Sequence, residues 1–189
     1  MIAASATALP LLALAALLSF AVATDLKSRR IPNRLVLAGI ALALALHALA
    51  WVVGGQVLAG PHPWSPLTGL LAGGATLMPL YLLRACGAGD VKLMAMVGAF
   101  IGVPAVLGAA VCTLIAGGLL SLLFMFAGGV AEQTLANVRF MLTDWMLRLQ
   151  ARQGARLAPL EITAARLPYA AAIALGTAAS LIWPLGSLV

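Results

Sequence analysis

The sequence predicts an all-α protein, a polytopic membrane bundle of six transmembrane helices with both termini outside. Hydrophobic residues occupy 63% of the 189 positions and charged residues only 8%, whereas about a quarter of a soluble domain is charged. Long charge-free runs recur along the chain, and every Lys and Arg lies in one of three segments between them. We therefore expect one membrane-embedded domain over residues 1–189, with the lipid bilayer as a partner.

Five apolar runs supply the predicted helices, since a bilayer core about 30 Å thick requires about 20 apolar residues per crossing. The fourth run would extend about 55 Å at a rise of about 1.5 Å per residue, too far for one crossing. We expect it to turn near Pro104 or Gly108, which gives six crossings. A turn as early as Pro104 would shorten the fourth crossing and draw its first residues, including Asp90, into the hydrocarbon depth. The runs are residues 3–23, 35–53, 66–83, 91–127 and 168–186.

The positive charges test this count, because Lys and Arg collect on the cytoplasmic side of a membrane. The eleven positives lie in residues 24–34, 84–92 and 128–167, while the 54–65 loop and both termini carry none. Six crossings place all three basic segments in the cytoplasm. Five crossings would place the arginines of the last segment outside.

Two further patterns concern packing and the last cytoplasmic segment. Apolar residues near 131–152 recur at spacings of three and four, which predicts an interfacial amphipathic helix. It could serve as a surface linker or grip a substrate. Gly69-x-x-x-Gly73 and Gly98-x-x-x-Gly102 predict close contact between helices.

Composition also excludes several functions. The net charge of +6 does not indicate nucleic-acid binding, because the basic residues flank apolar runs and form no patch interleaved with aromatic residues. Cys86 and Cys112 are far apart and form no Cys-x-x-Cys pair, so neither a zinc module nor a disulfide framework is indicated. We expect no metal and no cofactor.

Two aspartates carry the predicted chemistry, Asp25 at the end of the first run and Asp90 at the start of the fourth. A carboxylate beside hydrocarbon costs about 2.5 to 3.5 kcal/mol at a helix centre, so its presence there indicates function. An even number of crossings separates the two, which places both at the same boundary. Taken singly, Asp25 could be a solvated carboxylate beside Lys27, and Asp90 a helix-terminal acid.

Together, the two carboxyls would suit peptide hydrolysis. Two carboxyls a few Å apart share one proton, because both cannot ionise cheaply. The ionised group can then take a proton from water while the protonated group donates a hydrogen bond to the scissile carbonyl. Either aspartate could be the base, because the titration belongs to the pair.

Five neighbours are predicted to shape this site or bind substrate. We expect Gly87 and Gly89 to take positive φ or to let a substrate strand approach Asp90. Pro32 should stiffen the turn out of the first crossing, and Asn33 should cap the second helix. Lys92 lies two positions after Asp90, and side chains at that spacing on a helix do not face one another. We therefore expect Lys92 to extend toward lipid headgroups and not to neutralise Asp90.

These motifs resemble those of the type IV prepilin peptidase family, membrane aspartic proteases of the Gly-x-Gly-Asp kind. The resemblance implies that the protein removes the short basic leader from pilin-like precursors at the cytoplasmic face of a prokaryotic inner membrane. It implies Asp25 and Asp90 as the catalytic pair, with no metal. It rests on Asp-Leu-Lys-Ser-Arg-Arg-Ile-Pro-Asn at 25–33, Gly-Ala-Gly-Asp-Val-Lys-Leu at 87–93, Gly-Ala-Phe-Ile-Gly at 98–102 and Arg-Leu-Pro-Tyr-Ala at 166–170.

The chain departs from the longer members of that family, because it lacks their cytoplasmic insertion with paired Cys-x-x-Cys motifs. It resembles instead the short form found in tight-adherence (Flp-type) pilus systems, and the N-methyltransferase activity of long members is not expected. Archaeal archaellin peptidases have overlapping motifs. No oligomeric state is indicated.

Two other function classes stay open. A small proton- or ion-coupled carrier could use the two acids as relay sites, and it predicts acids deeper in the bundle and repeated halves. A non-catalytic membrane subunit of a secretion or pilus apparatus predicts that Asp25→Asn and Asp90→Asn are tolerated.

Overall fold

The protein is all-helical wherever its structure is described. The computed structural model describes residues 2–54, 58–83, 86–127 and 169–183, with Ala136, Arg139 and Thr143, and only the backbone of residues 2–7. No strand occurs in this part of the chain, as the all-α prediction requires. The helices are α1 (Ile2–Ser28), α2 (Asn33–Val52), α3 (Ser65–Leu82), α4 (Ala88–Ala127) and α5 (Tyr169–Ile182).

Helix boundaries follow local chemistry. Ala and Leu dominate the helices and have high helix propensity. α1 ends where Arg29 takes a left-handed conformation, with φ 51°, and its N–H donates to the Asp25 carbonyl at 2.8 Å, which is the αL form of helix ending. Pro32 then precedes α2, and Pro66 lies in the first turn of α3, where a missing N–H costs nothing.

Three helices are long and apolar enough to cross a membrane, namely Ala8–Ser28 within α1, then α2, then α4. α3 has 18 residues and is not among these three, and α5 is a shorter apolar helix. Large apolar side chains lie exposed along the helices, and in water each would forfeit about 25 cal/mol per Å² of apolar area. A membrane protein follows, while six crossings with outer termini stay a prediction. Examples of these side chains are Leu12, Leu37, Leu71 and Leu119.

α4 is interrupted at Gly102, whose φ of 77° and ψ of 177° are not helical. The break divides it into a first arm (residues 88–101) and a second arm (residues 103–127). A Cβ at Gly102 would collide with the carbonyl oxygen of Ala59, so glycine is needed for two reasons. The turn therefore lies two residues before Pro104, while Gly108 lies inside the second arm.

The first arm occupies the centre of the bundle, and from Leu93 to Gly102 every residue except Ala95 is buried. It crosses α3 at backbone contact distance. A Cβ at Gly69 would overlap the carbonyl oxygen of Gly98, and one at Gly98 would overlap that of Gly69. The two glycine motifs thus make the close helix contact that their spacing predicted.

The chain divides into two compact units, residues 1–117 with 168–189, and residues 118–167. Every predicted site residue lies in the first unit, where α1 packs against α2 and α5. The single membrane-embedded domain stays a prediction.

The second unit contains the predicted amphipathic segment near 131–152, which lies outside the described residues except at three positions. Ala136, Arg139 and Thr143 are helical, and the Thr143 hydroxyl donates to the Arg139 carbonyl oxygen at 3.0 Å.

Candidate active site

Asp25 lies in the last turn of α1 and is only 7% exposed. Its Oδ2 accepts a hydrogen bond from the backbone N–H of Ala170, in the first turn of α5, at 3.2 Å. The first N–H groups of a helix lack partners within that helix, and the helix dipole favours a negative charge there. Asp25 is therefore a buried carboxyl held by another helix, which argues against a solvated carboxylate beside Lys27.

Asp90 is the third residue of α4 and is 9% exposed. Its Oδ2 accepts a hydrogen bond from the backbone N–H of Gly87 at 2.9 Å. An acid at this position that bonds back to the N–H before the helix completes half of a capping box. The helix-terminal interpretation of Asp90 is thus correct for one oxygen. Within the described chain, Oδ1 of Asp90 and Oδ1 of Asp25 have no hydrogen-bond partner.

The structure brings the two carboxyls into electrostatic reach of each other. The charge of Asp25 acts on the Asp90 carboxyl, although 65 positions separate them in sequence. Among the described residues, each carboxyl has one oxygen held by a backbone N–H and one oxygen without a hydrogen-bond partner.

Contacts between the α1–α2 turn and the start of α4 maintain this proximity. The side chain of Ile31 packs over Gly89, where an added Cβ would lie 3.4 Å from the Ile31 Cβ. The Nζ of Lys92 donates to the Oδ1 of Asn33 at 3.1 Å. Because Asp25 lies just before this turn and Asp90 lies between the two contacts on α4, these contacts limit how far the aspartates can separate.

Several predicted roles are wrong in detail. Asn33 does not cap α2: Pro32 is the N-cap residue, no side chain caps this end, and the Asn33 oxygen accepts from Lys92 instead. Lys92 thus has Asn33 as a partner, and its extension toward lipid headgroups stays a prediction. Pro32 has the expected role, because its extended backbone, with φ −64° and ψ 127°, separates α1 from α2.

The two glycines beside Asp90 were predicted to take positive φ or to let a substrate strand approach. Neither has positive φ, because among the described glycines only Gly54, Gly60 and Gly102 do, and the approach of a substrate strand stays a prediction. Gly87 supplies the N–H that holds Asp90, and a Cβ there would lie 3.3 Å from Oδ2 of Asp90. Gly89 sits in the first turn of α4 and leaves room for Ile31.

Sequence reasoning did not assign Cys86, Tyr169 or Ala170 to the site. Cys86 was interpreted only as an apolar filler. Burial and, to a smaller extent, the Asp90 carboxylate raise the pKa of its thiol. Tyr169 packs against Gly117 on the second arm of α4. The Arg-Leu-Pro-Tyr-Ala motif at 166–170 was the available signal for the last two residues.

No group of three or more His, Cys, Asp or Glu side chains comes together within the described ranges. The site, as far as the structure describes it, is built from two carboxyls, backbone N–H groups, one thiol and one phenol.

Two buried carboxyls among long apolar helices define a membrane protein with a polar site inside it. The model of the type IV leader peptidase family matches residues 12–126, more than half of the chain and both aspartate motifs. The chain belongs to the type IV leader peptidase family, which confirms the family prediction and supports a leader-peptidase-like protease. Searches of curated proteins and of solved structures found no match. Tyr169 and Ala170 lie beyond the matched residues.

Proposed function

We propose that this protein is a membrane aspartic endopeptidase that removes the leader from type IV pilin-like precursors of the Flp type. Asp25 and Asp90 are its catalytic pair. The observation that carries the proposal is their arrangement: both carboxyls are buried, one oxygen of each is held by a backbone N–H, and the other oxygen of each has no hydrogen-bond partner among the described residues. Family membership supplies the reaction class.

The reaction follows from that arrangement. One ionised carboxylate takes a proton from a water molecule as the water oxygen bonds to the scissile carbonyl carbon. The other carboxyl, protonated, donates a hydrogen bond to the carbonyl oxygen as negative charge develops there. The proton then passes to the leaving amine when the C–N bond breaks. A pair that shares one proton provides both functions at neutral pH.

The depth of the site suits a substrate cut beside its membrane helix. The first arm of α4 has 14 residues before Gly102, about 21 Å of helix, which is shorter than a bilayer core of about 30 Å. A short crossing draws Asp90 toward the hydrocarbon or thins the bilayer around it. We propose that the site opens at the cytoplasmic face of the inner membrane, where the three basic segments would lie.

The carrier and scaffold alternatives receive less support. Asp25 lies in the last turn of α1 and Asp90 in the first turn of α4, so both are at helix ends and not at the mid-depth that a relay requires. Burying two carboxyls close enough for their charges to interact costs free energy, and a scaffold subunit gains nothing in return.

The test is leader removal from co-expressed pilin-like precursors, measured by mass spectrometry at matched membrane abundance. Asp25→Asn and Asp90→Asn preserve size and hydrogen-bond acceptance but cannot exchange the catalytic proton. We expect each to lower the cleavage rate by about 10²- to 10⁴-fold, the usual contribution of acid–base catalysis. Glu161→Gln, which removes an acid outside both motifs, serves as the control and should cleave normally.

Normal cleavage by either aspartate variant would refute the two-carboxyl mechanism. A cation flux across proteoliposomes that both aspartate variants abolish, without leader cleavage by the wild type, would establish the carrier instead.

A further inference from the structure

Tyr169 is the first residue of α5 and lies next to the group that holds Asp25. The residue that follows it, Ala170, supplies the backbone N–H that holds Oδ2 of Asp25 at 3.2 Å. Consecutive Cα atoms are about 3.8 Å apart, so the backbone of Tyr169 is adjacent to this carboxyl. Its phenol is within range of the charges of Cys86 and of Asp90.

The ring of Tyr169 is held in place by a glycine. A Cβ at Gly117 would lie 3.1 Å from Cε2 of Tyr169 and 3.4 Å from its hydroxyl oxygen. Gly117 is buried on the second arm of α4, and because it has no side chain, the Tyr169 ring packs against that arm from Cε2 to the hydroxyl oxygen. A ring fixed by packing presents its hydroxyl in one position, as a preorganised donor must.

The hydroxyl itself is unused by the fold. Tyr169 is half-buried, and within the described ranges its hydroxyl makes no hydrogen bond. A buried phenol normally finds a partner, because it gives up water on entering the protein. Because the described part of the chain offers this phenol no partner, its hydroxyl is available to a ligand that binds at the carboxyls.

We propose that Tyr169 is a further catalytic residue, whose O–H donates a hydrogen bond to the carbonyl oxygen of the scissile peptide. The inference rests on the proposed peptidase function and adds a specific group to it. When water attacks the carbonyl carbon, the electron pair of the C=O bond moves to oxygen. That oxygen then receives hydrogen bonds from the protonated aspartate and from Tyr169. Tyr169 keeps its own proton throughout, so it needs no return step.

The test is Tyr169→Phe, which keeps the ring and its contact with Gly117 and removes only the hydroxyl oxygen. Loss of one preorganised donor to an oxyanion typically lowers kcat by about 10²- to 10³-fold. We expect a fall of about 10²-fold, because the aspartate donor remains, with KM, membrane abundance and thermal stability unchanged. Tyr81→Phe is the matched control, since Tyr81 is the only other tyrosine and lies exposed on α3.

A second variant tests the position of the hydroxyl. Gly117→Ala pushes the ring by a few tenths of an ångström, because 3.1 Å is tighter than nearly all Cβ contacts. It should lower kcat in the wild type and have little further effect when combined with Tyr169→Phe, since the hydroxyl is then already absent.

Wild-type kcat in Tyr169→Phe, with Asp25→Asn and Asp90→Asn inactive, would overturn the role of Tyr169 and leave the peptidase mechanism intact. A tenfold or larger rise in KM at unchanged kcat would also overturn it, because the hydroxyl would then bind substrate without stabilising the transition state. Cleavage by the aspartate variants would overturn the peptidase mechanism and this inference with it.

Discussion

The crossing of α3 and the first arm of α4 is a sensitive point of this fold, and Gly69→Ala tests it. The added Cβ would overlap the carbonyl oxygen of Gly98 and lie 2.9 Å from the Cα of Gly102. Both obstacles are backbone atoms, which cannot rotate away as a side chain can. α3 and the first arm of α4 must therefore separate, and the buried residues of the first arm lose packing contacts.

The magnitude follows from the cost of overpacking. One extra carbon forced into a packed interior costs about 1 to 3 kcal/mol. For a chain of this length, each kcal/mol lowers the melting temperature by about 2 to 4 °C. We therefore expect Gly69→Ala to melt about 2 to 12 °C below the wild type, and leader cleavage to fall, because Asp90 lies in the first turn of this arm.

The matched control is Gly74→Ala, in the same helix five positions later. A Cβ at Gly74 meets only the Cβ of Ala95, at 3.6 Å, an ordinary van der Waals contact. Alanine also has a higher helix propensity than glycine by about 0.8 to 1 kcal/mol, so this variant should melt at or above the wild-type temperature. The assay is thermal unfolding of the purified protein in one detergent, at one scan rate. Equal melting temperatures for Gly69→Ala and Gly74→Ala would refute the crossing.

Two further predictions concern contacts around the site. A double-mutant cycle with Asn33→Ala and Lys92→Met, measured by thermal unfolding, should give a coupling of about 0.5 to 1 kcal/mol, the usual range for an exposed charged hydrogen bond; additive effects would mean that Lys92 extends to headgroups instead. The second concerns Cys86, whose pKa is raised by burial and by the Asp90 carboxylate, so the protonated thiol persists to higher pH than in a free cysteine. Because only the thiolate reacts, alkylation of Cys86 in a Cys112→Ala background should be slow at neutral pH and should still increase with pH above about 8.5, where the reaction of an unperturbed cysteine levels off. Asp90→Asn removes the negative charge and should speed the reaction at fixed alkaline pH, whereas an unchanged rate would place the carboxylate away from the thiol.

The helices themselves were largely predictable, because hydropathy is a local property of the sequence. The predicted runs 35–53 and 66–83 correspond to α2 (Asn33–Val52) and α3 (Ser65–Leu82) within two residues at each end. The first run was predicted to end at residue 23, whereas α1 continues to Ser28 and includes Asp25. A charge ends an apolar run in sequence, but it does not end a helix when the backbone can continue to a cap.

The position of the turn in α4 shows a similar limit of local reasoning. Pro104 was the visible helix breaker, yet the break lies at Gly102. Gly102 by itself did not mark a helix end in the sequence. Only the approach of the Ala59 carbonyl makes glycine necessary there. Proline then fits the first turn of the second arm, where it is tolerated.

The sequence by itself determined the membrane class, the helical fold and the two aspartates, since each of these depends on the cost of placing charge beside hydrocarbon. Only the tertiary structure decided which backbone groups hold each carboxyl. The N–H that holds Asp25 belongs to Ala170, 145 positions away, and a backbone N–H is present at almost every residue. Such a group acquires its role only when packing directs it at a particular acceptor, and no pattern of side chains records that direction.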